Sequence, residues 1–318
     1  MRLFEHPDFE QAVLRAAERY GLSEQFIEKD YYVTEILRIV AHAFGEQAIF
    51  KGGTSLSKGW DLIDRFSEDI DLFVNPQSFK RPPGKNKTDK ILKDLTQTVS
   101  GHPALTWLRE ESQTIGGLGR EDHFAYQTRF PALPGVRPAV RLEPGVQSGD
   151  FPTETVQISS LIGRYLHAQD SAEIAEDLDA FDMTLLHYRR TFVEKMFALH
   201  GKVIRLQQED HPLGRDARHY CDLHVLAAEP KVKAMLESSE YEDIRRDYDE
   251  KSRAFYPKTY RPPPSLSFAD SPALFPDPDL RARLEADYQT QCALLFSGGA
   301  HPSFDEVLAR FREIRELL

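Results

Sequence analysis

The sequence predicts an α+β protein in which a small mixed sheet with its helices is followed by a mainly helical half. Short apolar segments bounded by glycine or proline, which are typical of strands, lie before about residue 145. Segments with apolar residues on a 3.6-residue period lie on both sides of that point and dominate the second half. The turn-rich stretch 145–160 predicts a boundary between a first domain, residues 1–160, and a second, residues 161–318.

Helices and short strands alternate in the first half. Residues 9–17 have a helical pattern, and the Gly-Leu-Ser sequence at 21–23 offers the start of a longer helix that reaches Val40. The other predicted elements are strands at 48–50, 70–74, 123–130 and 139–143, and helices at 54–63 and 88–99. In the second half, the pattern predicts helices at 191–206, 215–228, 231–250, 278–296 and 303–317.

The composition is that of a globular chain and excludes several classes of protein. Of 318 residues, 41% are hydrophobic and 29% are charged, which excludes a disordered or fibrous chain. No apolar stretch approaches the roughly 18 residues of a membrane helix. The first residues carry acids where a signal peptide is basic, and the two cysteines indicate a reducing compartment. We therefore expect a cytoplasmic protein with no membrane partner.

Asp69 and Asp71 lie at the start of the second predicted strand. Residues i and i+2 of a strand share a face, so the two carboxylates stand side by side. Adjacent carboxylates repel each other, and nothing in strand stability favours them. Mg²⁺ removes the repulsion because it takes oxygen ligands and lets substrate phosphates complete its shell. The pair therefore predicts a metal site, although an Asp-x-Asp sequence alone also occurs by chance on exposed strands.

Gly52, Gly53 and Thr54 follow the first predicted strand and begin a helix. Glycines before a helix let backbone N–H groups approach a phosphate, and the helix N-terminus favours negative charge. Thr54 adds a hydroxyl donor. A Gly-Gly-Thr sequence alone is more often only a turn. Followed by an Asp-x-Asp strand, it predicts a site for a nucleoside triphosphate and its metal ions.

This order of motifs resembles the nucleotidyltransferase superfamily related to DNA polymerase β and, more narrowly, the AbiEii/AbiGii toxin family, which includes the MenT-type toxins. Fourteen residues separate Thr54 from Asp69, a longer gap than is usual for the motif. The resemblance covers about residues 24–226. Three further segments resemble motifs of the family in matching order: EKDYY at 28–32, RTFVEKM at 190–196 and RDARHYCDL at 215–223.

The resemblance implies a polymerase-β-like nucleotidyltransferase domain followed by a mainly helical domain that completes the active site. It implies transfer of a nucleoside monophosphate from an NTP to an acceptor hydroxyl, with two Mg²⁺ ions on Asp69 and Asp71. The implied acceptor is RNA, with the 3′ end of tRNA as the leading choice, so the protein would be a toxin with a cognate antitoxin. Transfer to a protein or a small molecule, and non-catalytic NTP binding, stay open.

Sites of this superfamily commonly add a third acid from a neighbouring strand. Glu143, at the end of the predicted strand 139–143, is the best candidate. It is a possible metal ligand or a general base for the attacking hydroxyl. Pairing with Arg141 at the edge of the sheet is an equally open interpretation.

Lys195 and Asp222 lie in the two family-like motifs of the helical half. The resemblance implies that Lys195 neutralises charge on the leaving pyrophosphate, whereas a lysine on an amphipathic helix usually extends to solvent. Arg215, Arg218, His219 and Asp222 share one face if the segment is helical. The resemblance implies that Asp222 orients Lys195 or a base, with Arg218 near phosphate. An intrahelical pair between Arg218 and Asp222 is the alternative.

One basic stretch stands out in a chain whose net charge of −11 argues against indiscriminate nucleic-acid binding. It is either a solvated loop or an RNA-contacting arm. Arg189 and Arg190 are candidates for extending an RNA path. The stretch contains Lys80, Arg81, Lys85, Lys87, Lys90 and Lys93.

Overall fold

The computed structural model describes residues 1–63, 69–133, 136–295 and 301–318. The chain divides into two compact units. The first, called the sheet unit, contains Met1–Trp60 and continues to Leu185. The second, called the helical unit, contains Leu186–Leu318 and a short segment that begins at Asp61.

An eight-stranded mixed sheet forms the centre of the sheet unit. Its strands are β1 (Ala48–Lys51), β2 (Asp69–Val74), β3 (Leu105–Trp107), β4 (Gln113–Ile115), β5 (Gly119–Tyr126), β6 (Ala139–Gly145), β7 (Thr153–Ile158) and β8 (Phe181–Leu186). They lie in the order β3-β5-β6-β2-β1-β8-β7, with β4 paired to β5. The central strand β2 is antiparallel to β1 and parallel to β6, so two different chain segments flank it.

The sheet unit also contains helices among its described residues, and all of them except the short third one contribute buried residues to its hydrophobic core. They are α1 (Phe9–Tyr20), α2 (Glu24–Phe44), α3 (Gly52–Lys58), α4 (Lys85–Val99) and α5 (Leu161–Ala168). Alternate residues of β2, Ile70 and Leu72, are buried in one core with Ile36 of α2 and Leu92 of α4. Because side chains alternate along a strand, Asp69 and Asp71 point to the opposite face of the sheet.

Three consecutive charged residues of α2 are buried or half-buried in contacts that fix other parts of the sheet unit. Glu28 accepts hydrogen bonds from the Thr128 hydroxyl and the Arg129 N–H. Lys29 donates to the backbone carbonyl of Arg137 at 2.9 Å. Asp30 pairs with Lys58 at the end of α3 and accepts the Leu161 N–H at the start of α5. The EKD segment that resembles a family motif therefore has a structural role, since buried charges require such partners.

The helical unit contains six α-helices among its described residues. They are α6 (Tyr188–Glu209), α7 (His219–Ala228), α8 (Pro230–Leu236), α9 (Ser239–Phe255), α10 (Pro278–Leu295) and α11 (Phe304–Glu313). Tyr220 on α7 packs at 5.0 Å from the ring of Phe304 and 6.2 Å from that of Tyr288. Its hydroxyl also donates to the carbonyl of Ala273 at 2.8 Å. These contacts fix α7 against α10 and α11.

The α+β class and the mainly helical second half are confirmed. The sheet is larger than predicted, since β3, β4, β7 and β8 were not expected. The stretch 145–160, predicted as a domain boundary, contains β7, and the first unit continues to Leu185 because β8 pairs with β1.

Most of the predicted helices differ from the observed ones in their bounds, and three of the differences change the fold locally. The helix expected at 54–63 is α3 and ends at Lys58, before Gly59. The single helix expected at 231–250 is two, α8 and α9, separated at Glu237 and Ser238. The segment Gly214–Arg218 is a 3-10 turn, so α7 begins only at His219. None of the helices within the described ranges has the length and apolar character that crossing a membrane requires.

Candidate active site

Asp69 and Asp71 share the face of β2 that points away from the hydrophobic core. Asp69 is 5% exposed, and Asp71 is half-buried. On the parallel neighbour β6, Arg141 lies opposite Asp69 and Glu143 lies opposite Asp71. Glu121 of β5 lies on the same face, since His123, two residues on, pairs with Arg141. We call the surface that these four acids form the carboxylate face; its members are Asp69, Asp71, Glu121 and Glu143.

Arg141 supplies positive charge to the carboxylate face. Its Nε donates to Asp69 Oδ1 at 2.9 Å, and its second terminal nitrogen donates to Asp69 Oδ2. The guanidinium also lies 3.0 Å from Glu143 Oε1 and 3.9 Å from Glu121 Oε1. Burial lowers the pKa of Arg141, but the hydrogen bond to Asp69 and the charges of the acids outweigh burial and raise it. The guanidinium therefore keeps its charge.

The structure shows the pair of Glu143 with Arg141, and a role for Glu143 as metal ligand or general base stays a prediction. Because β6 lies inside the sheet between β5 and β2, the pair is not at an edge. The pKa of Glu143 is raised to about 7, first by burial and then by the negative charge of Asp71, while Arg141 opposes the shift. A carboxyl group with this pKa can exchange a proton near neutral pH.

The backbone of Gly52 directly approaches the Asp71 carboxylate. Gly52 begins α3 with a φ of 76°, and the preceding Lys51 pairs with Asp71 across the two strands. A Cβ atom at Gly52 would lie 2.8 Å from Asp71 Cγ and closer still to Oδ2. A side chain at this position would have to displace the Asp71 carboxylate, so both the positive φ angle and the close approach favour glycine. The glycine turn and the aspartate pair are therefore neighbours in the structure.

Thr54 and Ser55 hold the turn in place. The Thr54 hydroxyl donates to the backbone carbonyl of Asp69, and the Ser55 hydroxyl donates to the carbonyl of Gly52 at 2.8 Å. A hydroxyl has one proton to donate, so in this arrangement Thr54 fixes the first residue of β2. A contact between Thr54 and a phosphate stays a prediction and requires the hydroxyl to change its acceptor.

The oxygen donors of the carboxylate face fit a hard divalent cation. Asp69 and Asp71 present neighbouring carboxylates, and the Asp71 carboxylate lies against the backbone of Gly52. Within the described ranges, no group of three or more acid, histidine or cysteine side chains is placed to hold a metal ion by itself. The pair therefore fits a cation that takes its remaining ligands from substrate phosphates and water, as Mg²⁺ commonly does.

Lys195 and Asp222 form a buried ion pair in the helical unit. Lys195 of α6 is 6% exposed, Asp222 of α7 is fully buried, and Nζ lies 2.8 Å from Oδ2. The ammonium also lies 3.2 Å from Nδ1 of His219. The pKa of His219 is lowered to about 4, first by burial and then by the charge of Lys195, so the imidazole is neutral and accepts the ammonium hydrogen. Two partners on α7 therefore fix Lys195, which does not extend freely to solvent.

The other motif residues lie around this pair. Asp216 lies 3.8 Å from His219 Nε2 and pairs with Lys202 at 2.6 Å. Arg218 is half-buried, and Arg215 is exposed. Because residues 214–218 are a 3-10 turn, the single helical face expected for the motif is not formed over its whole length.

Arg190 does not belong to an RNA path. Its side chain is fully buried, and its guanidinium pairs with Glu194 at 2.9 Å and Asp247 at 2.6 Å. Arg189 is partly exposed and lies 3.1 Å from Glu240. The expectation for Arg190 is wrong because the residue faces the interior of the helical unit, where a guanidinium requires two carboxylates to offset its desolvation.

The family of the chain follows from a family model, described as the nucleotidyl transferase AbiEii toxin of a type IV toxin–antitoxin system, which matches residues 35–310. The chain belongs to the AbiEii family. A similar solved structure is MenT4, the nucleotidyltransferase toxin Rv2826c from Mycobacterium tuberculosis H37Rv, with a TM-score of 0.61. The two are 16% identical, over 96% of this chain and 88% of MenT4, which establishes likeness of fold. No curated protein sequence gives a match.

Membership of AbiEii makes the chain a nucleotidyltransferase toxin of a type IV system. An NTP substrate and an antitoxin partner follow from that membership, and enzymes of this kind generally use a divalent metal. Gly52, Thr54, Asp69, Asp71 and Glu143 lie together in the sheet unit. Lys195 and Asp222 lie together in the helical unit.

Sequence reasoning missed the parts played by Arg141 and His219 in this AbiEii chain. Arg141 was considered only as a partner of Glu143, although the period of two along β6 places both on one face. Its main partner, Asp69, lies 72 residues away, and only the strand order brings the two together. His219 was placed on the motif face, but its neutral state depends on burial.

A substitution at Gly52 tests the contact between the glycine turn and Asp71. We expect Gly52→Ala to reduce nucleotidyl transfer by at least about tenfold, because the new Cβ must displace the Asp71 carboxylate. Gly21→Ala is the matched control, since Gly21 has a φ of 64° and open space around it. Both variants should lose about 1 kcal/mol of stability in urea unfolding, but only Gly52→Ala should lose activity. Equal activities would contradict the contact.

The raised pKa of Glu143 predicts a pH-dependent stability. Between the ordinary value of 4.5 and about 7, the folded chain retains a proton that the unfolded chain has lost. The free energy of unfolding therefore falls as the pH rises through this window. We expect the Tm of the wild type, measured in EDTA, to fall more across it than that of Glu143→Gln. The exposed Glu18→Gln variant should follow the wild type; identical profiles for all three proteins would refute the prediction.

Proposed function

We propose that the chain transfers a nucleoside monophosphate from an NTP to the 3′ end of tRNA and releases pyrophosphate. The observation that carries the proposal is the approach of Gly52 to Asp71 on the carboxylate face. It supports phosphate binding by the glycine turn and metal binding by the neighbouring acids. Membership of AbiEii supplies the reaction class. The acceptor is proposed from the family resemblance and from the basic surface of the sheet unit.

In this proposal, Asp69 and Asp71 hold Mg²⁺, with two ions in the complete complex. Bound Mg²⁺ neutralises the triphosphate and stabilises charge that develops at the α-phosphorus. The backbone N–H groups of Gly52 and Gly53, at the start of α3, bind phosphate oxygens. Glu143 accepts the proton of the attacking hydroxyl, a role that its pKa of about 7 supports.

Lys195 is proposed to neutralise the leaving pyrophosphate, with Arg218 near phosphate. This role rests on the family-like motifs and on the buried pair of Lys195 with Asp222. Asp222 and the neutral His219 hold the ammonium in one orientation, so a charge that would otherwise move on four rotatable bonds is preorganised.

The basic surface proposed to contact tRNA consists of α4 and the segment before it. Its six cations, Lys80 to Lys93, stand against one acid in that stretch, Asp89, which pairs with Lys93 at 2.6 Å. All six cations are exposed, and the last four lie on α4, so the stretch is not a loop throughout. Phosphate groups favour such a surface even in a chain of net charge −11. A toxin that modifies tRNA ends would act in the cytoplasm, restrained by its antitoxin.

Labelled NTPs, supplied with Mg²⁺, total RNA and total protein, test the reaction directly. We expect label on tRNA 3′ ends with the wild type, and at least about a hundredfold less with Asp69→Ala or Asp71→Ala. The matched control is Asp179→Ala, which removes an aspartate whose side chain is 82% exposed. It should label tRNA at the wild-type rate. Induced expression should stop growth with the wild type and the control, and not with the two site variants.

Two results would replace this proposal with another. Label on protein, with none on tRNA, would make a protein side chain the acceptor. Growth arrest that survives Asp69→Ala and Asp71→Ala would mean that the chain acts by binding and not by transfer.

A further inference from the structure

Arg141 occupies the carboxylate at which the proposed function puts a metal ion. Both oxygens of Asp69 accept hydrogen bonds from its guanidinium. Asp69 is also the more buried of the two aspartates, with its side chain 7% exposed. A guanidinium that binds both oxygens of a carboxylate occupies the side on which the carboxylate could chelate a cation, and its positive charge opposes a cation nearby.

The same guanidinium lies within 4 Å of two further acids of the face, Glu143 and Glu121. Three carboxylates around one site repel one another, and in a partly buried place that repulsion is stronger than in water. Arg141 offsets it with a single positive charge. A divalent cation bound to the same face would offset the same repulsion.

A second arginine of the sheet shows what a purely structural pair looks like. Arg120 on β5 lies on the opposite, core-facing side and binds both oxygens of the fully buried Asp122 at 2.9 and 2.7 Å. Its guanidinium also bonds Thr96 and Thr114. By contrast, Arg141 is 25% exposed, and the groups that surround it are carboxylates of the proposed site.

We propose that Arg141 is a positioning residue that neutralises the carboxylate face while no cation is bound and releases Asp69 when the cation enters. The inference rests on the proposed function. Arg141 and the cation then compete for Asp69, so the arginine weakens cation binding and stabilises the cation-free fold. If Arg141 competes with the cation, removing it should strengthen cation binding. Removing a purely structural arginine should not.

Titration of the full-length chain with Mn²⁺ alone, followed by electron paramagnetic resonance, measures this competition. We expect Arg141→Gln to bind Mn²⁺ about tenfold more tightly than the wild type, since one opposing charge is removed. Arg141→Lys, which retains the charge, should stay within about threefold. The matched control is Arg137→Gln, whose guanidinium pairs with Glu111 at the surface and is 50% exposed. It removes the same charge and should leave the affinity unchanged.

Thermal unfolding gives a second readout. In EDTA, Arg141→Gln should have a lower Tm than the wild type because the acids then repel without a counter-charge. Mn²⁺ should raise its Tm by more than it raises that of the wild type. Equal or weaker Mn²⁺ binding by Arg141→Gln would overturn the inference.

A measurement on the wild type decides the question if Arg141→Gln fails to fold. In protein labelled with ¹⁵N-arginine, the Nε–H signal of Arg141 should shift when Mg²⁺ is added, and that of Arg120 should not. An unchanged Arg141 signal at saturating Mg²⁺ would overturn the inference. If the wild type fails to bind Mn²⁺ even with a non-hydrolysable NTP analogue present, the proposed function fails as well. If Asp71→Asn weakens Mn²⁺ binding and Arg141→Gln leaves it unchanged, only the role of Arg141 is refuted.

Discussion

The repulsion among carboxylates on one face of the sheet is the constraint on which the rest of the site depends. Asp69, Asp71 and Glu143 stand on two neighbouring strands, in register, with their side chains on the same face. Such an arrangement costs folding free energy unless positive charge is supplied. Arg141 supplies it within the chain, while the pKa of Glu143 stays raised, first by burial and then by the negative charge of Asp71. A cation bound to this face would further reduce the repulsion among the carboxylates.

The fold contributes rigidity around that face. The Thr54 hydroxyl ties the glycine turn to the first residue of β2. Asp30 of α2 holds the end of the same short helix through Lys58. In the helical unit, Asp222 and His219 fix Lys195. In each unit, hydrogen bonds or ion pairs to a different element therefore fix parts of the proposed site.

The sequence predicted the local parts of the site and missed those that depend on strand order. The Asp-x-Asp strand and the double glycine can be recognised from neighbouring residues alone. A strand has a side-chain period of two, and a backbone position with positive φ favours glycine. The contact of Arg141 with Asp69 leaves none, since it exists only because β6 lies beside β2. In the fold, β7 was missed because its first three residues are exposed and polar at the edge of the sheet. For β8, the apolar residues Phe181, Met183 and Leu185 alternate with Asp182 and Thr184 in the sequence, and this strand pattern was overlooked.

A crystal structure of the full chain with Mn²⁺ and a non-hydrolysable NTP analogue tests the central claim most directly, because the anomalous signal of Mn²⁺ locates the ion independently of the protein. The ion should be bound by carboxylate oxygens of both Asp69 and Asp71, with analogue phosphates against the backbone of Gly52 and Gly53. An ion bound elsewhere, or a triphosphate that does not contact the glycine turn, would contradict the assignment of the carboxylate face as the catalytic centre.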